Sequence, residues 1–211
     1  MKRAISILTT LLLGVTLIAV CAFAAALAFF GLWLHTYNVF TERVLVAEVS
    51  ISESRIDANG EYADVVYQPF AQQSALNHLF TGAQETTPDM STQTYKLYGD
   101  TVHIGGPIVR FYDHLILVNF KTIYKVGTIY GRYNFDNNKE LNRKVISSFE
   151  LNGGIDPTWR DVNDRITSWP YNMFVNFTNV SSPGIPISKA RSANYYLYMS
   201  VNGFIFEPKT N

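Results

Sequence analysis

From Ala4 to Leu34 the chain reads AISILTTLLLGVTLIAVCAFAAALAFFGLWL, without a charged residue or a proline. A helix over this stretch reaches roughly 46 Å, against a hydrocarbon core of about 30 Å. That length suits one membrane span and is too short for two antiparallel ones. We expect Ser6 to Ala28 in the hydrocarbon and Phe29 to Phe40 as an interfacial collar. The collar holds Phe29, Phe30, Trp33 and Tyr37, rings of the kind that gather at headgroup level.

Beyond residue 42 the apolar pattern shortens to strand length. Arg43–Ile51 (RVLVAEVSI) is rich in β-branched residues, and the turn signal Asp57-Ala58-Asn59-Gly60 leads into Glu61–Tyr67. Pro69 to Phe80 suggests a short helix, and Thr81 to Thr94 a polar loop. Strands are expected at Tyr95–Tyr98, Thr101–Ile104, Ile108–Tyr112, Leu115–Phe120, Ile123–Tyr133 and Leu141–Leu151. Gly99-Asp100, Gly105-Gly106-Pro107, Asp136-Asn137-Asn138 and Asn152-Gly153-Gly154 punctuate them.

At Asp156-Pro157 the period changes. A cap residue precedes a proline at the first helical position, and Trp159, Val162, Ile166 and Trp169 fall on one helical face. Asp161 and Arg165 are i,i+4 partners, and Pro170 ends the element. After Ser181-Ser182-Pro183-Gly184-Ile185-Pro186, Tyr195–Val201 turns at Asn202-Gly203 into Phe204–Glu207, the clearest hairpin of the chain. The expected fold is one N-terminal transmembrane helix and a mainly antiparallel β domain, sandwich or barrel-like, with one amphipathic helix near 157–169.

The flanks of the apolar run orient it. Lys2 and Arg3 precede it, while His35, Thr36, Tyr37 and Asn38 follow. The positive-inside rule then leaves residues 1–3 as a cytoplasmic stub and 4–34 as the anchor. Residues 35–42 form an interfacial linker, and 43–211 an extracytoplasmic domain. A cleaved signal peptide is the rival reading, because small residues at Ala22–Ala28 offer a cleavage site. Its apolar region is typically about 7–15 residues, however, and this one continues through Phe29-Phe30-Gly31-Leu32-Trp33-Leu34. Acylation of Cys21 is disfavoured by valine at position 20. Cys21, Ala24, Ala25 and Ala28 supply four-residue spacings that let helices approach closely, although alanine also serves as plain lipid-facing filler.

The single cysteine lies in the apolar run, which excludes a disulfide framework and a cysteine-ligated zinc site in the outer domain. A cysteine-free domain of this kind suits the periplasmic side of a bacterial inner membrane. Two glycosylation sequons, at Asn176 and Asn179, matter only in a eukaryotic secretory pathway. Residues 35–95 hold eight acids and two bases, residues 96–144 eight bases and four acids, and residues 145–211 five of each. This balance excludes a nucleic-acid binder, and such blocks ordinarily pair with each other in the fold.

Metal-protease, phosphate-loop and nucleophile-elbow motifs are missing from the sequence. His103, Asp113 and His114 are the conceivable acid–base or metal group, although neighbours in a strand point to opposite faces. Asp156, Asp161 and Asp164 are explained as caps and solvated helix positions, and no cofactor is expected. Arg110, Lys121, Lys125 and Arg132 stand among Phe111, Tyr112, Phe120, Tyr124 and Tyr130. They form a candidate interaction surface for anionic headgroups or an acidic partner, but edge strands also use lysine to discourage pairing.

Tyr95-x-Leu97-x-Gly99-Asp100-x-Val102, Gly106-Pro107-Ile108-Val109-Arg110-Phe111, Thr122-x-Tyr124-Lys125 and Gly131-Arg132-Tyr133 resemble motifs of a small family of uncharacterised bacterial proteins. Asp156-x-x-Trp159 and Tyr198-x-x-x-Asn202-Gly203-Phe204 extend the likeness. Members have one span and a β-rich outer domain and are sometimes labelled multidrug or cation efflux pump proteins. The chain departs from the pattern at Asn202-Gly203-Phe204, where Gly-Leu is expected, and lacks a Tyr-Gly-Ser-Ala stretch. The resemblance implies no catalytic residue, and one span does not make a pump. The expected function is a non-enzymatic accessory module. Its partners are the lipid bilayer and another membrane protein or a second copy. An anchored carrier of a lipid or other apolar ligand is the first alternative, and an envelope hydrolase the second.

Overall fold

A computed structural model of the chain describes residues 2–70, 90–117, 120–133, 145–155, 157–187 and 192–209. It separates into two units, Met1–Thr41 and Glu42–Asn211. The first is a single helix, α1 (Lys2–Thr41). Its stretch Leu12–Thr36 is long and apolar enough to cross a membrane, and none of it is buried by protein. The hydroxyls of Thr16 and Thr36 donate to the carbonyls of Leu12 and Leu32, at 2.7 and 2.8 Å. These bonds satisfy the polar atoms within the helix, as an apolar medium requires. The helix runs unbroken through 35–41, the stretch expected as a linker.

Among the described residues the second unit holds two six-stranded antiparallel sheets. In the first, β12 (Gly203–Pro208), β11 (Ala193–Ser200), β1 (Arg43–Ile51), β3 (Gly60–Pro69) and β2 (Arg55–Asp57) lie side by side, and β4 (Gln93–Tyr98) also pairs with β3. In the second, β10 (Ile185–Pro186), β5 (Thr101–Phe111), β7 (Thr128–Arg132) and β8 (Val145–Glu150) are in order. There β6 (Ile123–Tyr124) and β9 (Val175–Ser181) also pair with β5. The result is a mainly antiparallel β domain whose sheet curls into a half-barrel.

The core follows the strand period. Val49 and Ile51 of β1, Val65 and Tyr67 of β3, Leu97 of β4 and Leu197 of β11 meet Val102, Ile104, Ile108 and Ile129 of the second sheet. A register shift between Leu45 and Ala47 lets both Val46 and Ala47 be buried, as an extra residue in one strand allows. Val109 and Phe111 point away from this core, because β5 alternates. Val109 lies opposite Phe177 of β9, and the Phe177 ring is 6.2 Å from that of Trp159. Helix α3 (Pro157–Ile166) thus covers the back of the second sheet, with Trp159, Val162 and Ile166 buried.

Several expectations are corrected. Gly105-Gly106-Pro107 does not separate two strands; β5 runs through it for 11 residues. The strand changes partners there, pairing with β7 and β10 over Thr101–Gly105 and with β6 and β9 over Gly105–Phe111. A Cβ on Gly106 would sit 1.9 Å from the Lys125 carbonyl oxygen, so the glycine marks a close backbone approach and not a turn. Leu115–Phe120 was expected as a strand, yet Asp113–Ile116 is a helical turn, α2, closed by bonds from the amides of Leu115 and Ile116 to the Tyr112 carbonyl. Lys125-Val126-Gly127 divides the strand expected over 123–133. Helix α3 stops at Ile166, and Trp169 is 78% exposed instead of continuing the buried face.

Strand β9, which reads as polar, had no counterpart in the expectations. In the final hairpin the loop is Val201-Asn202, and Gly203 opens the return strand at φ +126°, a conformation only glycine enters freely. The turn therefore falls one residue earlier than the Asn-Gly signal implied. The helix expected from Pro69 to Phe80 lies, beyond Phe70, outside the described residues, as do Asp156 and most of the loop 81–94.

Candidate functional site

Two places on the second sheet hold the residues of chemical interest, at opposite ends of β5. At its start, Thr101 pairs with Arg132 and His103 with Tyr130. The His103 and Tyr130 rings stack with centroids 5.1 Å apart and planes 7° from parallel. His103 is buried, and its Nδ1 lies 3.1 Å from the Ser182 carbonyl oxygen. A carbonyl only accepts, so Nδ1 carries the proton in the neutral ring. The Ser182 hydroxyl accepts from the Ile104 amide at 2.9 Å, and the Tyr130 hydroxyl donates to Ser181 Oγ at 2.9 Å. Burial pulls the imidazole below its ordinary range. The Ser182 carbonyl opposes that, and the nearby Arg132 charge adds to it. His103 Nε2 and Arg132 Nε are buried without a hydrogen-bond partner.

His114 does not join this group. It stands in α2, past the other end of β5, with its ring near Tyr112 at 6.3 Å. Asp113 instead accepts from Arg110 at 3.1 Å. Phe111 lies eight residue steps beyond His103 along β5, about 26 Å at ~3.3 Å per residue. Among the described residues no three His, Cys, Asp or Glu side chains are placed to hold a metal ion.

The four bases of the candidate surface separate in the same way. Arg110 lies near the end of β5, bonded to Asp113. Lys121 follows α2 and reaches Glu42, with Nζ 2.6 Å from Oε1. Arg132 is at the far end beside Thr101, whose hydroxyl donates to its carbonyl at 2.8 Å. Lys125 is 2% exposed, in the stretch between β6 and β7. Its own amide donates to the Pro107 carbonyl at 3.0 Å. In the helical unit, Cys21, Ala24, Ala25 and Ala28 are all exposed along α1.

Around Arg110 and Lys121 the surface is aromatic. The Phe120 ring lies 5.1 Å from that of Phe111. The Tyr112 amide donates to the Phe174 carbonyl at 3.0 Å, and its hydroxyl to the Asn172 carbonyl at 3.1 Å. The segment after α3 is thereby fastened to the end of β5. Its side chains face outward: Trp169 and Met173 are exposed, and Tyr171 and Phe174 nearly half so. The sequence marks Tyr112 and Phe120 as rings beside the bases; Tyr171, Met173 and Phe174 carry no signal, and Trp169 is placed by its spacing on the buried face of the helix.

At the opposite end of the domain Asp57 binds Lys96 at 2.5 Å and accepts from the Tyr98 hydroxyl at 2.9 Å. The Lys96 ammonium sits 3.8 Å above the Tyr62 ring. The bonded pair shifts both groups, Asp57 downward and Lys96 upward. This network pins the β2–β3 hairpin to β4.

Comparison with protein-family models, curated proteins and solved structures gave no match.

Proposed function

We propose that the chain is a membrane-anchored accessory module. In this reading α1 crosses a bacterial cytoplasmic membrane with its N-terminus inside, and residues 42–211 work on the outer face beside another membrane protein or a second copy. The observation that carries it is the Leu12–Thr36 stretch, long and apolar enough to cross a membrane and unburied, leading directly into a β domain with its own buried core. An apolar surface of this extent is stable in a bilayer and not in water. The Lys2-Arg3 flank supports the orientation.

The carrier reading gains no support from the interior, where Tyr67, Leu97, Ile104 and Leu197 fill the space between the strands. The hydrolase reading gains none from His103, whose sequence-level partners Asp113 and His114 are at the far end of β5.

The test is crosslinking of the full chain in its native membrane, followed by purification under denaturing conditions. A discrete crosslinked species of reproducible composition is expected. Recovery of monomer alone at saturating crosslinker would overturn the module reading.

A further inference from the structure

We propose that the exposed surface formed by Tyr112, Phe120, Trp169, Tyr171, Met173 and Phe174 docks on the headgroup layer of the membrane that α1 crosses. The proposal rests on the reading of α1 as an anchor and adds a second point of contact.

Three observations lead to it. First, Lys121 binds Glu42 at 2.6 Å, and Glu42 directly follows Thr41, the last residue of α1. Phe120 and Lys121 are therefore one ion pair away from the residue at which the chain leaves the helix, whatever the orientation of the domain. The hydrogen bonds of Tyr112 to Phe174 and Asn172 extend that region to the segment after α3. Second, the residue types suit an interface. Trp169 is 78% exposed and Met173 57%, a high exposure for large apolar groups on a wetted surface. Tyrosine and tryptophan, with an apolar body and a polar tip, settle where hydrocarbon meets water. Third, the neighbouring bases are already answered. Arg110 binds Asp113 and Lys121 binds Glu42, so these two bases are neutralised and the attraction to lipid in this proposal is apolar, not electrostatic.

The experiment uses the full chain in nanodiscs of phosphatidylethanolamine and phosphatidylglycerol. In a Cys21→Ala background, Met173→Cys or Ile56→Cys is labelled with an environment-sensitive fluorophore. Ile56, 74% exposed and in β2 beside the Asp57–Lys96 network, is the control from the opposite end. Lipids bearing a quencher near the headgroup should reduce emission at position 173 about twofold or more and leave position 56 unchanged. Molar salt should leave the contrast intact, because screening acts on charge and not on apolar burial. Equal quenching at both positions in disc-bound protein overturns the docking alone. So does a label at 173 shielded from both lipid and aqueous quenchers, which would mean that a protein covers the surface. Protein eluting free of the discs overturns the anchor reading along with it.

Discussion

The imidazole of His103 lies flat against the ring of Tyr130, 5.1 Å between centroids, while its Nδ1 reaches the carbonyl of Ser182 on a segment 79 residues away in the sequence. One buried side chain thus ties β5 to both β7 and the stretch after β9. Because burial holds the ring neutral, the unfolded chain binds this proton more readily than the folded one.

The domain's stability should therefore be full above the ordinary histidine value of 6.5 and decline as pH falls below it. His103→Asn keeps an N–H donor without an ionisable ring. It should lower stability at pH 8 through lost packing, yet flatten the decline between pH 6.5 and 5. Urea midpoints measured across that range check both effects. An unchanged slope in the variant would place the acid sensitivity elsewhere.

Trp159 and Trp169 are ten residues apart and have opposite environments, 1% and 78% exposed. Trp159→Ala should cost about 3–5 kcal/mol through the cavity left beneath α3. Trp169→Ala should change stability by no more than about 0.5 kcal/mol. Chemical denaturation of the two variants gives the comparison directly.

Gly106→Ala would place a methyl group 1.9 Å from the Lys125 carbonyl oxygen. Backbone atoms there cannot step aside singly, since Lys125 donates to Pro107 and Gly127 to Gly105. A loss of about 2–4 kcal/mol is expected, read as a lower denaturation midpoint. A wild-type midpoint would show that β5 and the Lys125 segment separate more easily than their bonds imply.

If α1 pairs with another helix through Cys21, Ala24, Ala25 and Ala28, bulk on that face should disrupt the pair. Ala25→Phe should reduce the crosslinked species obtained from native membranes severalfold, while Ala26→Phe, on the other side of the helix, should leave it unchanged. Equal yields from both variants would assign these alanines to lipid.

Local patterns were legible wherever neighbours in sequence create the structure. A charge-free run makes an apolar helix by itself. Alternating β-branched residues placed β1 at Arg43–Ile51, and the spacing of Trp159, Val162 and Ile166 placed the buried face of α3. The hairpins around Asn59 and Asn202 were legible from local chemistry, the latter to within one residue. The tertiary structure decided everything that depends on strands distant in sequence. Glycines at 105 and 106 read as a break until Lys125 was found pressing on the backbone there. Leu115 and Ile116 carry strand-like side chains but lie in a turn bonded to Tyr112. The four bases read as one surface, and strand register sent Arg132 to one end of β5, Arg110 and Lys121 to the other, and Lys125 inside. The outward aromatic surface is likewise assembled from three segments that only the β5–β9 pairing brings together. Periodicity records which side of an element is apolar; which element lies opposite is set by long-range register, and residues adjacent in the chain carry no record of it.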